Sequence, residues 1–237
     1  MVDPGLARAY LLAPISKFSP WRTADGRSPQ MDFLQAAATH RIRVYRAGNR
    51  CGKTTVGVVD AVLRCLGWHP WATQHRPPVI GWMVTLDWDN VGRVLWPALK
   101  PWLPMDQVRS ISWLRRSEPA IPQAVVFKNG SELHFRSADA KRERHQGVKL
   151  TFAGLDEELD QEIVEETEAR LLDVGGHLWC TLTPLARKGW VRDLERRPDC
   201  ITVRASMRDA AEAGLLDKGS VKSFRSEERR VGKECRL

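Results

Sequence analysis

Ala47-Gly48-Asn49-Arg50-Cys51-Gly52-Lys53-Thr54-Thr55 decides how this chain is read. Ahead of it, Ile42, Val44 and Tyr45 mark a short strand ending at Ala47; behind it, Val56, Val59, Val62, Leu63 and Leu66 recur at helical spacing from Lys53 to Leu66. Strand, glycine-containing loop and helix, in that order, form the setting in which a phosphate-binding loop works. There, successive backbone N–H groups wrap a β-phosphate and the helix N-terminus adds positive potential. Lys53 reaches the β and γ oxygens, and Thr54 ligates Mg²⁺. Ala47 stands where the pattern has its first glycine, which requires a negative φ at that position. The plain alternative is an ordinary strand-to-helix turn with a solvated lysine.

Such a loop needs an acidic partner at the end of another apolar strand. Leu150 to Leu155 supplies the strand, and Asp156-Glu157-Glu158 follows directly. Asp156 is expected to hold the metal, mainly through water, and Glu157 to orient and deprotonate an attacking water as general base. A carboxylate immediately after the metal ligand marks water as the nucleophile, because transfer to a bound hydroxyl needs no acid there. Glu158 and Asp160 read instead as acids favoured by a helix N-terminus. Thr181-Leu182-Thr183-Pro184 closes a third strand, and the Thr183 hydroxyl at its tip suits a contact to the γ-phosphate or the attacking water. Thr and Pro also suit an ordinary strand end.

Outward from these residues the pattern is α/β. Residues 1–28, with Pro4, Pro14, Pro20 and Gly26, read as an extended arm. Gly67 and Pro70 stop the first helix, Val79 to Leu86 forms a strand after Pro77-Pro78, and Asp89 or Asn90 caps a helix running to Leu99. Ala124 to Phe127 and Glu132 to Phe135 flank Asn129-Gly130, a pair suited to positive backbone angles in a tight hairpin. A helix over Asp160 to Leu172 and a strand over His177 to Leu182 complete the alternation. The expected architecture is a P-loop NTPase fold of the ASCE type, with a mainly parallel sheet flanked by helices and a β-hairpin insertion. Its domain spans 29–206, and 207–224, with Asp209, Glu212 and Asp217, begins a linker.

The chain has 237 residues and a net charge of +8, which favours a polyanionic partner. Most of its ten tryptophans, among them Trp82, Trp96 and Trp179, lie in apolar runs and read as core. No apolar run approaches the roughly 20 residues of a membrane span, and Met1 to Ala13 lacks a signal-peptide pattern, so a cytosolic protein is expected. The five cysteines show no metal-ligand spacing and read as reduced, mostly buried thiols. Arg225 to Cys235, RSEERRVGKEC, resembles a translated sequencing adapter; setting 225–237 aside leaves the charge near +6 and implies that the natural protein continues past Phe224.

Taken together, Pro29-Gln30-Met31-Asp32-Phe33-Leu34, Arg46 through Thr54, Gln146-Gly147, Leu155-Asp156-Glu157-Glu158 and Thr183-Pro184-Leu185 with Gly189-Trp190 resemble the large terminase subunits of tailed phages, over about Gln30 to Ser206. The resemblance implies an ATPase, using ATP and Mg²⁺ in the host cytoplasm, that moves double-stranded DNA into a procapsid. Its implied partners are a portal protein, a small terminase subunit and further copies in a ring, with no membrane. By the same resemblance Gln30 contacts adenine, Thr183 belongs to the coupling motif, and Arg50 is an arginine finger supplied from the loop. Family members often carry that arginine at the position of Asn49, which leaves Arg50, Arg46 or a neighbouring subunit for the role. The family's C-terminal nuclease has no counterpart after Ser206, so no DNA cleavage is expected. Candidate DNA contacts are Arg115-Arg116, Lys141-Arg142-Arg144 and Arg187-Lys188, each equally readable as a solvated face, and His145 reads as structural. Two other readings remain: a helicase-like ATPase of the same fold, and a nucleotide-binding DNA scaffold without turnover.

Overall fold

The computed structural model describes residues 13–139, 149–183, 189–217 and 219. Eight strands form one sheet in the order β3-β4-β5-β2-β6-β7-β1-β8. In chain order these are β1 (Ile42–Ala47), β2 (Ile80–Thr85), β3 (Val108–Arg115), β4 (Ile121–Phe127), β5 (Glu132–Ser137), β6 (Phe152–Asp156), β7 (His177–Leu182) and β8 (Cys200–Ala205). From β5 to β8 every neighbouring pair is parallel; β4 alone runs against its neighbours. The hairpin is therefore no appendage. Through β5, parallel to β2, it extends the sheet outward.

Parallel strands need helices on both faces, and the central strands are accordingly apolar at nearly every position. β6 and β7 are buried along their whole length. One face carries the core of Tyr45, Val59, Met83, Phe135 and Trp179, covered by α2 (Lys53–Leu66) and by the helical run 88–99, α3. The other buries Ile42, Val44, Leu155 and Cys180 beneath α4 (Gln161–Leu172) and α5 (Gly189–Glu195). α1 (Pro29–Gln35) precedes β1, and α6 (Met207–Glu212) follows β8. α2 begins after Gly52 (φ 71°) and ends at Gly67 (φ 72°); both left-handed positions suit glycine, which has no Cβ to clash.

Three local expectations change. Asp87, rather than Asp89 or Asn90, caps α3, its carboxylate accepting from the Asn90 N–H at 2.7 Å. The helix then widens into a π turn at Val91–Leu95 before Pro97, which has no N–H to give the ladder. In the hairpin only Gly130 has positive φ (85°), and its N–H closes the turn on Phe127 O at 3.1 Å. Asn129 instead uses its side chain, donating to Cys65 O and accepting from the Ser131 N–H. Finally, the segment 13–28 is anchored at points along its length: Ile15 lies in the core at 2% exposure, and Trp21 rests on the phosphate loop. The tryptophans Trp82, Trp96 and Trp179 are all buried, as are the free thiols of Cys51, Cys65 and Cys180.

Candidate nucleotide site

Because β6, β7 and β1 are parallel neighbours, their C-terminal ends share one edge of the sheet. Register puts Asp156 beside Thr181, and Arg46 beside Leu182. The loop that follows Ala47 therefore opens next to the acidic tip of β6. The Thr54 hydroxyl, in the first turn of α2, bridges both carboxylate oxygens of Asp156 at 3.1 and 3.2 Å. Thr181 donates to the same carboxylate at 2.6 Å.

Asp156 is 2% exposed. Burial pushes its pKa up to about 6 against the hydrogen bonds from Thr181 and Thr54, while the neighbouring Glu157 raises it further. Lys53 is also buried, and burial lowers its pKa despite the nearby acids Glu157 and Asp156. Its ammonium folds back onto its own loop, donating to Gly48 O at 2.9 Å. Glu157 has φ 75°, a left-handed backbone in a residue with a Cβ, and its N–H is fixed on Thr181 O at 2.9 Å. A carboxylate and a hydroxyl, all-oxygen and hard, suit Mg²⁺, which keeps several waters and takes its remaining ligands from substrate phosphates.

The other predicted residues distribute around this centre. Thr183, 6% exposed, donates to Asn49 Oδ1 at 3.3 Å and so ties the tip of β7 to the loop. The Gly48 N–H reaches Ala205 O at 3.3 Å, and Met207 presses so closely on Gly48 that a Cβ there would collide. Ala47 has no positive φ, as its replacement of glycine requires. Arg50 is exposed at the loop crest with φ 58°. Arg46 turns to the opposite side of β1, where it pairs with Glu195 at 3.1 Å. Thr55 continues the first turn of α2, half-buried. Gln30 Nε2 donates to Gly52 O at 3.0 Å, which brings α1 against the loop.

Sequence reasoning missed Trp21 and Thr181. The Trp21 indole donates to Cys51 O and its backbone N–H to Gln30 Oε1, both at 3.3 Å, so the expected arm braces the loop and the expected adenine contact together. An isolated aromatic among prolines gives no periodic signal. Thr181 could have been found as the hydroxyl two residues before Thr183, which strand periodicity places on the same face. Gln146, Gly147, Pro184, Leu185, the Lys141-Arg142-Arg144 and Arg187-Lys188 clusters, His145 and the tail at 225–237 lie outside the described residues.

The family model for the terminase large subunit, T4likevirus-type, N-terminal, matches residues 44–231. Among solved structures, the large terminase ATPase domain of Thermus phage P74-26 is 17% identical with a TM-score of 0.62, over 92% of this chain and 93% of that one. The large terminase of a second, thermophilic bacteriophage gives a TM-score of 0.65 at 17% identity, over 87% of this chain but 50% of that one. A crystal form of that same protein in complex with ADP gives 0.61 at 16% identity, over 83% of this chain and 49% of that one. No curated protein sequence matches. These likenesses establish the α/β architecture, and the family match over most of the chain carries the assignment: the chain belongs to the terminase large subunit family through its N-terminal part, the ATPase domain that is the DNA-packaging motor.

Proposed function

We propose that the loop between β1 and α2 binds and hydrolyses ATP with the residues that converge on it. The observation that carries this reading is the meeting of the Thr54 hydroxyl with the buried Asp156 carboxylate at 3.1 Å, each the chain neighbour of a candidate catalytic group, Lys53 and Glu157 respectively. Thr54 and Asp156 would hold Mg²⁺, which neutralises charge on the triphosphate when bound. Lys53 leaves Gly48 O and engages phosphate oxygens, while the N–H groups of residues 49–55 line the polyphosphate. Glu157 orients water and accepts its proton; its left-handed backbone, fixed on Thr181 O, holds the carboxylate beyond the strand end. Gln30, braced by Trp21, faces the base, and Arg50 at the crest meets the developing charge. Thr183 reads the change through Asn49 and passes it to the segment that follows β7.

The whole-particle reading follows from the family. Double-stranded DNA is the translocated substrate, and a portal protein, a small terminase subunit and further copies in a ring are the partners, in the host cytoplasm. No helix among the described residues is long and apolar enough to cross a membrane. Glu157→Gln tests the chemistry, with phosphate release and fluorescent-nucleotide binding measured in parallel. Turnover should fall by about 100-fold or more while nucleotide affinity stays within about twofold. Turnover at the original rate would remove Glu157 from the base role.

A further inference from the structure

The loop between α2 and β2 builds a second polar pocket, at the sheet edge opposite the phosphate loop. α2 is 14 residues long, so its two ends lie about 20 Å apart at 1.5 Å per residue. The pocket encloses 390 Å³, and Arg64, His69, Thr73, His75 and Arg76 are among its lining residues. None of its lining residues is acidic.

Arg64 is 6% exposed, yet its Nη2 has no hydrogen-bond partner among the described residues. Its Nε pairs with Asp60 at 2.5 Å. Behind it Arg43, fully buried, also binds Asp60, at 2.6 Å, and leaves its Nε and Nη2 without acceptors among the described residues. One carboxylate thus serves two guanidiniums, and the cluster holds excess positive charge where charge is costly without a counter-charge. Burial pushes Arg64 down to about 10, the direction expected of a cation short of anions. His69 does not supply the deficit: its Nδ1 accepts from the N–H groups of Trp71 and Ala72, leaving Nε2 to face Asp60 at 3.4 Å. The buried Nδ1 of His177, whose ring meets that of His75 edge-on at 6.1 Å, also lacks a partner among the described residues. The C-terminal dipole of α2 opposes an anion here with roughly half a charge. Its carbonyls at Leu63, Arg64 and Cys65 are engaged by Trp68, Gly67 and Asn129, and the Arg64 and Arg76 guanidiniums outweigh it.

We propose that this pocket binds a phosphate-class oxyanion, with Arg64 as its floor and Arg76 as its rim. Orthophosphate and a backbone phosphate of nucleic acid share the chemistry, and the test separates them. The 237-residue chain carrying Lys53→Ala, which disables the nucleotide loop, is titrated with sodium phosphate against sodium chloride at equal ionic strength. Its unfolding midpoint should rise by about 5 °C or more at phosphate a hundredfold above its dissociation constant. Arg76→Ser, an exposed change that spares the core, and Arg64→Gln should both remove that rise.

Binding of a short DNA duplex is then followed by anisotropy across salt concentrations, with and without Arg76→Ser. If the occupant is a DNA phosphate, the slope of log K against log salt falls by about 0.9. If it is orthophosphate, DNA binding is unchanged while the phosphate rise is still lost. A rise no larger than that given by chloride, or one undiminished in Arg76→Ser, overturns the proposal. Should Arg64→Gln fail to fold, Arg76→Ser alone decides.

Discussion

Arg50 and Glu157 are the two non-glycine residues with positive φ among those described, at 58° and 75°, and both border the same nucleotide site. A left-handed residue with a Cβ costs about 1–2 kcal/mol, so the surrounding hydrogen bonds must hold these conformations against local preference. At Arg50 the strain and the chemistry can be measured separately. Arg50→Gly should stabilise the fold by about 1 kcal/mol, seen as a rise of about 2–4 °C in the unfolding midpoint. The same variant should lose at least about tenfold in ATP turnover, and Arg50→Lys should show no stability gain because it keeps its Cβ. Unchanged turnover in Arg50→Gly would pass the finger role to another arginine, and Arg46 is poorly placed for it, being held by Glu195 at 3.1 Å. Lys53, Thr54, Asp156 and Glu157 were legible in sequence because the chemistry fixes their types and spacing relative to strand ends. Trp21 was not, because its contact with Cys51 spans 30 residues and depends on tertiary packing alone.

Among the elements, those buried on both faces were readable from apolar content, and the half-exposed hairpin from its Asn129-Gly130 turn. β1, β6 and β7 are continuous apolar runs, and α2 repeats its apolar residues every three or four positions. β3 and β8 went unseen because they are the edge strands, half-exposed and interrupted by Arg, Ser or Thr. The start of α3 shows a different failure, in which several acids and amides compete for one cap. Asp87 alone has the extended backbone of a cap (φ −147°, ψ 173°), and its two carboxylate oxygens take the Asn90 N–H and side-chain amide at 2.7 and 3.0 Å. Asp89 instead reaches Arg115 at 3.3 Å from a position 61% exposed, where solvent screens the pair. Asp87→Ala should therefore cost about 1 kcal/mol in chemical denaturation, and Asp89→Ala less than about 0.5 kcal/mol. Equal losses would mean that the ion pair, rather than the cap, anchors the helix.

At the scale of the whole molecule, the two ends of α2 bury titratable groups whose pH effects oppose each other. At the nucleotide edge, burial raises Asp156 to about 6 from an ordinary value of 3.8, so the fold binds its proton more tightly than the unfolded chain does. Its contribution to stability therefore grows as pH falls from about 6 to about 4, by about 3 kcal/mol at 1.36 kcal/mol per pKa unit. At the opposite edge, burial is again the largest cause and lowers His177 from 6.5 to about 3, with Arg64 and Arg43 acting in the same direction. There the unfolded chain binds the proton more tightly, and stability present above pH 6.5 is lost as pH falls toward about 3, again by about 3 kcal/mol at pH 4. His69, lowered chiefly by burial, adds to that loss. The Asp156 and His177 terms nearly cancel, so the nucleotide-free, metal-free chain should lose stability between about pH 6 and 4 through the other histidines that burial lowers, His69 and His134. Each variant should expose the other term: Asp156→Asn should be more stable than the parent at about pH 7.5 and fall more steeply than it on acidification, whereas His177→Gln should lose less than the parent over the same window. Urea denaturation at about pH 7.5, 6, 5 and 4 in phosphate-free buffer, so that no anion enters the Arg64 pocket, reads all three slopes. Parallel slopes for the parent and both variants would show that neither buried group titrates with folding.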